Sequence, residues 1–327
     1  MLDTCSTKSI SERQQNLSNK TLNLCCLVPV YNEETHLLEF LTQLGETLAE
    51  ISNEYSIICV NDGSSDNSES IIQQCAKSLP IKSISLSRNF GKEIAISAGL
   101  EHSDSDAIII IDSDFQHPFS IIKEFVDEWA TGFDMVYGIR RSRNQESGLR
   151  RLFTNCFYRV MRFASQVNII PNAGDFRLLD KRVVKALCSC QERSKFMKGL
   201  YAWVGYSSKP IFYNTNPRAT GKSTFGFLSL LELSITGITA FSNIPLRAWT
   251  LIGASISSFS FIFAIYIAIK TMVFGTDLPG YTSVMVGIFF FGGVQLLSIG
   301  ILGEYIARIF NEVKNRPAYI VKSKIGF

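Results

Sequence analysis

Asp112, Ser113 and Asp114 close a run of four isoleucines, Ile108 to Ile111, within Ala107–Pro118 (AIIIIDSDFQHP). A short β-branched run reads as a buried strand. Carboxylates just past its carboxyl end stand where open α/β sheets gather their ligands. On an extended backbone, residues two apart face the same side. Asp112 and Asp114 then point together, and Gln116 joins them if the extension persists. Two carboxylates and an amide oxygen are hard donors suited to Mg²⁺ or Mn²⁺, especially a cation shared with a diphosphate. Taken alone, the tripeptide fits a solvated acidic turn equally well. Two more acidic turns add weight: Pro29-Val30-Tyr31-Asn32-Glu33-Glu34 and Asn61-Asp62-Gly63-Ser64-Ser65-Asp66. Each follows a predicted strand, so all three turns fall on one rim of the sheet. An acidic rim repels phosphate unless a cation intervenes, which points to a metal-bridged nucleotide.

The elements that position these turns alternate. Strands are predicted at Asn23–Pro29, Tyr55–Asn61, Ile81–Leu86, in the isoleucine run and at Asp134–Tyr137. Helices are predicted over Glu33–Glu50, from an Asp66 N-cap to about Lys77, over Lys92–Glu101 and over Phe119–Ala130. The first of these carries Leu37, Leu38, Leu41, Leu44 and Leu48 at helical spacing. Alternation of this kind makes βαβ units and a mainly parallel, Rossmann-like α/β sheet.

Other chemistries drop out. No G-x-G-x-x-G follows the first strand, and Gly221-Lys222-Ser223-Thr224 has Asn216 where a P-loop needs glycine. A net charge of +3 over 327 residues, without a basic aromatic stripe, gives no footing for nucleic acid. The eight cysteines form no C-x-x-C pair and read as reduced, structural thiols. His36, His102 and His117 read as structural or surface groups, His117 abutting the acidic turn. Residues 1–21 are polar, lack an apolar signal core and are expected to form a flexible extension.

The first two thirds of the chain have soluble-like composition, and the last third, with an earlier basic segment, turns toward the bilayer. Leu149–Gln166 mixes Arg150, Arg151, Arg159 and Arg162 with aromatic residues, fitting either an interfacial helix or a helix on the sheet. A second interfacial helix is expected over 225–243. Two apolar runs, about 248–269 and 281–302, are long enough to span a membrane. Arg308, Lys314, Arg316, Lys322 and Lys324 follow the second run, whereas the loop between the runs carries only Lys270 and Asp277. The positive-inside rule then puts the catalytic domain and both termini, including a tail over 305–327, in the cytoplasm. Gly287, Gly292, Gly293, Gly300 and Gly303 in the second run suit helix–helix contact, within the pair or between subunits.

PVYNEE, NDGSSD and DSD, in this order, resemble the inverting family 2 glycosyltransferases of GT-A fold. The strings RNFGKE (88–93), GDFRLLD (174–180), FMKGLYAWVG (196–205), RATGKSTFGF (218–227) and ILGEYIARIFNEVKNRPAYIV (301–321) narrow the likeness. With the two-span tail they resemble the dolichyl-phosphate mannose synthase-like enzymes, and most of all bacterial undecaprenyl-phosphate (bactoprenol) glucosyltransferases of the inner membrane. The resemblance covers about residues 22–322 and implies a catalytic domain over 22–224. It implies UDP-glucose as donor, undecaprenyl phosphate as acceptor, Mg²⁺ or Mn²⁺ as cofactor, a role in O-antigen glucosylation and a homotetramer. It implies that Pro29, Tyr31, Glu33 and Asp62 hold the uridine, while Asp112, Asp114 and Gln116 hold the metal. Arg218, Lys222 and Ser223 would close over the donor phosphates, with Lys92 a further donor contact. Arg177, with Arg150 and Arg151, would meet the acceptor phosphate, and Asp175 is the residue to test as a base. One departure is Asn61, where many relatives carry aspartate.

Overall fold

The computed structural model describes residues 2–141, 173–190, 192, 195–215, 244–274 and 280–327. The chain divides into two compact units. Met1–Arg162, Val167–Leu230 and Arg316–Phe327 form the first; Phe163–Gln166 and Leu231–Asn315 form the second. The first unit opens with α1 (Leu2–Ser18), β1 (Leu24–Val30), α2 (Leu37–Ile51), β2 (Tyr55–Asn61), α3 (Ser68–Cys75) and β3 (Ile81–Leu86). Then come α4 (Lys92–Glu101), β4 (Ala107–Ile110), α5 (Ser120–Ala130) and β5 (Met135–Arg140). β6 (Ala173–Asp180), α6 (Lys181–Ser189), α7 (Met197–Trp203) and β7 (Ser208–Tyr213) follow.

Eight strands make one sheet in the order β7-β5-β6-β4-β1-β2-β3-β8, where β8 is Val321–Ile325. β3, β2, β1 and β4 run parallel, β6 lies antiparallel between β4 and β5, and β8 is an antiparallel edge on β3. Helices cover both faces. Leu24, Cys26, Val28 and Val30 pack with Phe40, Leu41 and Leu44 of α2 and with Ile122, Phe125 and Trp129 of α5. On the other face α4 lies so close to β1 that a Cβ on Gly99 would meet Leu27 Cδ1 at 2.1 Å. The predicted parallel α/β sheet is therefore present, and the strand Ile81–Leu86 and helix Lys92–Glu101 match residue for residue. Leu38, expected on the apolar face of α2, is exposed.

Two expectations about the termini fail. The segment read as a flexible extension is helical, with Leu17 packed on the core and Arg13 buried as its polar anchor. Arg13 Nη2 lies 2.6 Å from Asp180 Oδ2, and its Nη1 donates to the carbonyl oxygens of Trp129 and Phe133, each at 3.1 Å. Trp129 Nε1 donates to the same Asp180 oxygen at 2.9 Å. Nothing in the local polar composition signals an anchor whose partners lie more than a hundred residues away. The segment read as a tail re-enters the sheet as β8, with Tyr319 Oη donating to Glu101 Oε2 at 2.7 Å.

The second unit holds α8 (Ile244–Phe274) and α9 (Tyr281–Val313), joined across their lengths by a hydrogen bond from Trp249 Nε1 to Ser298 Oγ. Among the described residues one stretch, Phe290–Val313, is long and apolar enough to cross a membrane. The expected first span, 248–269, lies inside α8, and the expected second span, 281–302, overlaps Phe290–Val313. The helices expected at 149–166 and 225–243 lie outside the described residues.

Replacing Arg13 with Met strips two carbonyls and a buried carboxylate of a charged donor, while Trp129 and Arg182 still bond Asp180. The expected loss of unfolding free energy is about 2–3 kcal/mol. Urea denaturation checks it; an unchanged midpoint would show that α1 is anchored otherwise.

Candidate active site

The turns after β1 and β2 are stitched into one ledge. Asn32, at φ 55°, accepts the Ser65 amide at its Oδ1 (2.8 Å), and its own amide donates to Ser64 Oγ (3.0 Å). The Glu33 amide donates to Ser68 Oγ, the Glu34 amide to Asp66 Oδ2 and the Asn67 amide to Glu34 Oε2, each at 3.0 Å. Asp66 also accepts the Ser68 amide, but the N-cap of α3 is Asn67 and not Asp66 as expected, because the helix starts one residue later. Tyr31 is exposed on this ledge, and Pro29 and Glu33 are partly so.

Asp62 is committed elsewhere. It is buried, and its two oxygens accept the amides of Phe90 (2.8 Å) and Gly91 (2.9 Å). Burial raises its pKa against the pull of those two amides and of Arg88. Gly63, at φ 67°, lets the turn press against this loop: a Cβ there would sit 2.4 Å from the Arg88 carbonyl carbon. Together they fix the loop that starts α4 and so set where Lys92 stands.

Lys92 joins two carboxylates. Its Nζ lies 2.6 Å from Asp112 Oδ1, 2.8 Å from Asp112 Oδ2 and 3.0 Å from Asp175 Oδ2. Burial works against each charge. The carboxylates nevertheless raise the Lys92 pKa, and the nearby cations, Lys92 first, lower those of Asp112 and Asp175. From the opposite side, His117 points Nε2 at Asp112 Oδ2 across 3.6 Å. His117 is 3% exposed, bonded through Nδ1 to Tyr213 Oη at 2.8 Å and packed on Phe176 at 4.5 Å. The histidine read as structural thus supports an acidic residue of the site, a role its sequence position beside the turn only hinted at.

Beside this lies a buried polar group that holds the expected Arg177 and Asp175 together with Tyr201 and Glu93, which had no expected role. Arg177 is 4% exposed; its Cζ stacks 3.5 Å from the Tyr201 ring centroid, and its Nη2 donates to Gly174 O at 2.6 Å. Among the described residues Arg177 Nε, Asp175 Oδ1 and Tyr201 Oη are buried without a hydrogen-bond partner. Glu93 accepts the Met197 amide at 3.1 Å, and burial together with Asp175 raises its pKa to about 7. Glu93 and Tyr201 stand in RNFGKE and FMKGLYAWVG, strings visible in the sequence without a chemical role attached.

The extension that was to align Gln116 with the aspartates ends with β4 at Ile110, gives way to a turn at Ser113 and Asp114, and is deflected again at Phe115. That residue takes φ 60° and turns its ring onto Phe40 (5.3 Å) and Phe119 (6.0 Å). A bulky residue in this region is strained, a cost of about 1–3 kcal/mol that its packing offsets. Asp114 Oδ1 accepts the Gln116 amide at 3.1 Å, so the two are linked by a tight turn and not by a common strand face. Arg150, Arg151, Arg218, Lys222 and Ser223 lie outside the described residues.

The donor set fits a hard divalent cation. Among the described residues no three His, Cys, Asp or Glu side chains form a cage. Asp112 is nonetheless a cation position by observation, because an ammonium straddles its two oxygens. Two carboxylates without a full cage suit an ion whose remaining ligands are diphosphate oxygens and water.

A mainly parallel sheet, one reversed strand beside β4 and an acidic turn at the β4 end define the GT-A class of nucleotide-sugar enzymes. The chain belongs to the glycosyl transferase family 2, which it matches over residues 25–188, and it is a glycosyltransferase. It is 44% identical over 94% of its length to an uncharacterized glycosyltransferase of Synechocystis sp., covering 96% of that protein. It is 43% identical over 92% of its length to the SfII prophage-derived bactoprenol glucosyl transferase of Shigella flexneri, covering 98% of it. A solved glucosyl-3-phosphoglycerate synthase from Mycobacterium tuberculosis aligns at 14% identity and a TM-score of 0.45, over 71% of this chain and 82% of the other.

The raised Glu93 pKa has a sign. The folded protein holds this proton up to about pH 7, whereas the unfolded chain releases it near the ordinary glutamate value of 4.5. Glu93 therefore favours the fold at acid pH, and that contribution is lost as pH rises from about 4.5 to 7. Glu93→Gln is expected to remove this slope, worth at most about 3 kcal/mol. Urea denaturation of both proteins at several pH values reads it; parallel curves would refute the assignment.

Proposed function

We propose that the protein transfers glucose from UDP-glucose to undecaprenyl phosphate, with inversion at C1, for modification of O-antigen or other surface glycan. The observation that carries this reading is the likeness, over nearly the whole chain, to proteins named bactoprenol glucosyl transferase. Pro29, Tyr31 and Glu33 on the ledge face the uridine. Asp62 serves it indirectly by holding the 88–91 loop. Asp112, Asp114 and Gln116 would hold Mg²⁺ or Mn²⁺, which when bound would supply positive charge to the leaving diphosphate. Arg218, Lys222 and Ser223 cover that diphosphate.

The nucleophile is an oxygen of the lipid phosphate. With a second pKa near ~6, this monoester is already largely dianionic at neutral pH. It attacks C1 from the side opposite the diphosphate; the new C1–O bond forms as the old one breaks, and UDP leaves with the electron pair. No proton must be removed, so no strong base is needed. Asp175, held ionised by Lys92 and Lys198, orders cations more readily than it accepts a proton. Arg177 adds positive potential from beneath Tyr201, while Arg150 and Arg151 meet the acceptor phosphate.

The membrane reading gains support from connectivity. α8 and α9 lie between β7 and β8, two strands of one sheet. A chain that leaves a folded unit and returns to it crosses a bilayer an even number of times. Two spans, both ends cytoplasmic, at the bacterial inner membrane satisfy this, and the glycine-rich α9 suits assembly as a tetramer.

Full-length protein in detergent with radiolabelled UDP-glucose and undecaprenyl phosphate should give a labelled lipid that requires divalent cation. Asp114→Asn should lower turnover on the order of 10²–10³-fold with the fold intact. Label transferred from another nucleotide sugar, such as a UDP-N-acetylhexosamine or a UDP-4-amino-arabinose derivative, and not from UDP-glucose would overturn the sugar. No lipid product from any donor would overturn the reaction.

A further inference from the structure

Lys92 was expected at the donor, yet its ammonium is occupied. It lies 2.6 and 2.8 Å from the two oxygens of Asp112 and 3.0 Å from Asp175. Its backbone is fixed, because it starts α4 directly after the Phe90–Gly91 amides clamped by Asp62. Its head is not, since the side chain is 42% exposed and a lysine stem has four rotatable bonds. A fixed base, a movable charge and two carboxylates within reach are the parts of an exchange.

The geometry points to Lys92 as an exchangeable counter-ion. It neutralises Asp112 while no divalent cation is bound, and it passes wholly to Asp175 when a cation takes Asp112. This rests on the reading of Asp112 and Asp114 as the metal carboxylates. An ammonium straddling both Asp112 oxygens fills the approach that a hard cation needs, at roughly 2.0–2.1 Å for Mg²⁺. Two cations on one carboxylate would repel strongly in a partly buried site. Occupation is therefore exclusive, and Asp175 gives the displaced ammonium a partner already in contact.

Two consequences follow from the exchange. The metal alone binds weakly, because it must displace a charge-assisted contact, and it binds better with a donor that brings diphosphate oxygens. The charge facing Asp175 also depends on whether Asp112 is occupied, which links the donor metal to the carboxylate on the neighbouring strand β6. A lysine serving only the donor phosphates would have no influence on the metal in the absence of nucleotide.

The test is Mn²⁺ binding to the full-length protein without nucleotide, read by the electron paramagnetic resonance signal of free Mn²⁺. Lys92→Met should bind Mn²⁺ on the order of tenfold tighter than the native protein, the worth of one charged hydrogen bond. Lys92→Arg, which keeps the cation, should stay near the native value. Lys92→Gln repeats the measurement with a polar side chain should methionine disturb the fold. Asp114→Asn should weaken binding in the native and Lys92→Met backgrounds alike. Unchanged or weaker binding in both Lys92→Met and Lys92→Gln, with Asp114→Asn still weakening it, overturns the exchange alone. Mn²⁺ binding that ignores Asp114→Asn, or that is absent from every variant, overturns the metal reading and the exchange with it.

Discussion

The rim of this sheet gathers Asp62, Asp112, Asp114 and Asp175 within a few turns of chain, and negative charges so arranged need a positive partner or backbone donors. The fold supplies both. Asp62 accepts two amides, and one ammonium balances the charges of Asp112 and Asp175. These are a single device, because the amides belong to the residues immediately before that lysine. The close approach allowed by Gly63 brings the β2 turn onto Arg88, Asp62 then reaches Phe90 and Gly91, and Lys92 is delivered to the end of β4. Reversal of β6 completes it. Its register pairs Ile110 with Arg177, so the residue two before Arg177, Asp175, comes up beside the residue two after Ile110, Asp112.

The parts of the fold legible in the sequence are those governed by local pattern. β1 to β4 are short apolar runs bounded by turn residues, and α2 and α5 carry apolar stripes that the sheet buries. The acidic turns were legible for the same reason, since each must follow its strand. Long-range contacts decided the rest. α1 has little apolar face and is held by the fit of Arg13 among Trp129, Phe133 and Asp180. β8 reads VKSKI, with only two apolar residues, and is a strand because β3 offers it an open edge. Gln116 was aligned with the aspartates on the assumption of continued extension, which the aromatic cluster around Phe115 overrides. Charge pairing across the sheet, as between Lys92 and Asp175, leaves no trace in spacing at all.

The same edge constrains how the two units are made. β3 is complete early in the chain, but the strand that covers it comes only after α8 and α9. Closing so long a loop costs conformational entropy that grows slowly with its length. The gains are several: a β ladder, the Tyr319–Glu101 hydrogen bond, the Lys322–Glu69 pair and the packing of Phe327 near His102. Glu101 ends α4, the helix whose first residue is Lys92. The last residues of the chain therefore brace the far end of the helix that carries the rim cation. A chain stopped after α9 would keep every acidic turn, yet it would leave the outer edge of β3 open and α4 without that brace. Completion of the catalytic sheet is in this way tied to completion of the apolar helical pair, through a strand that is too polar to announce itself.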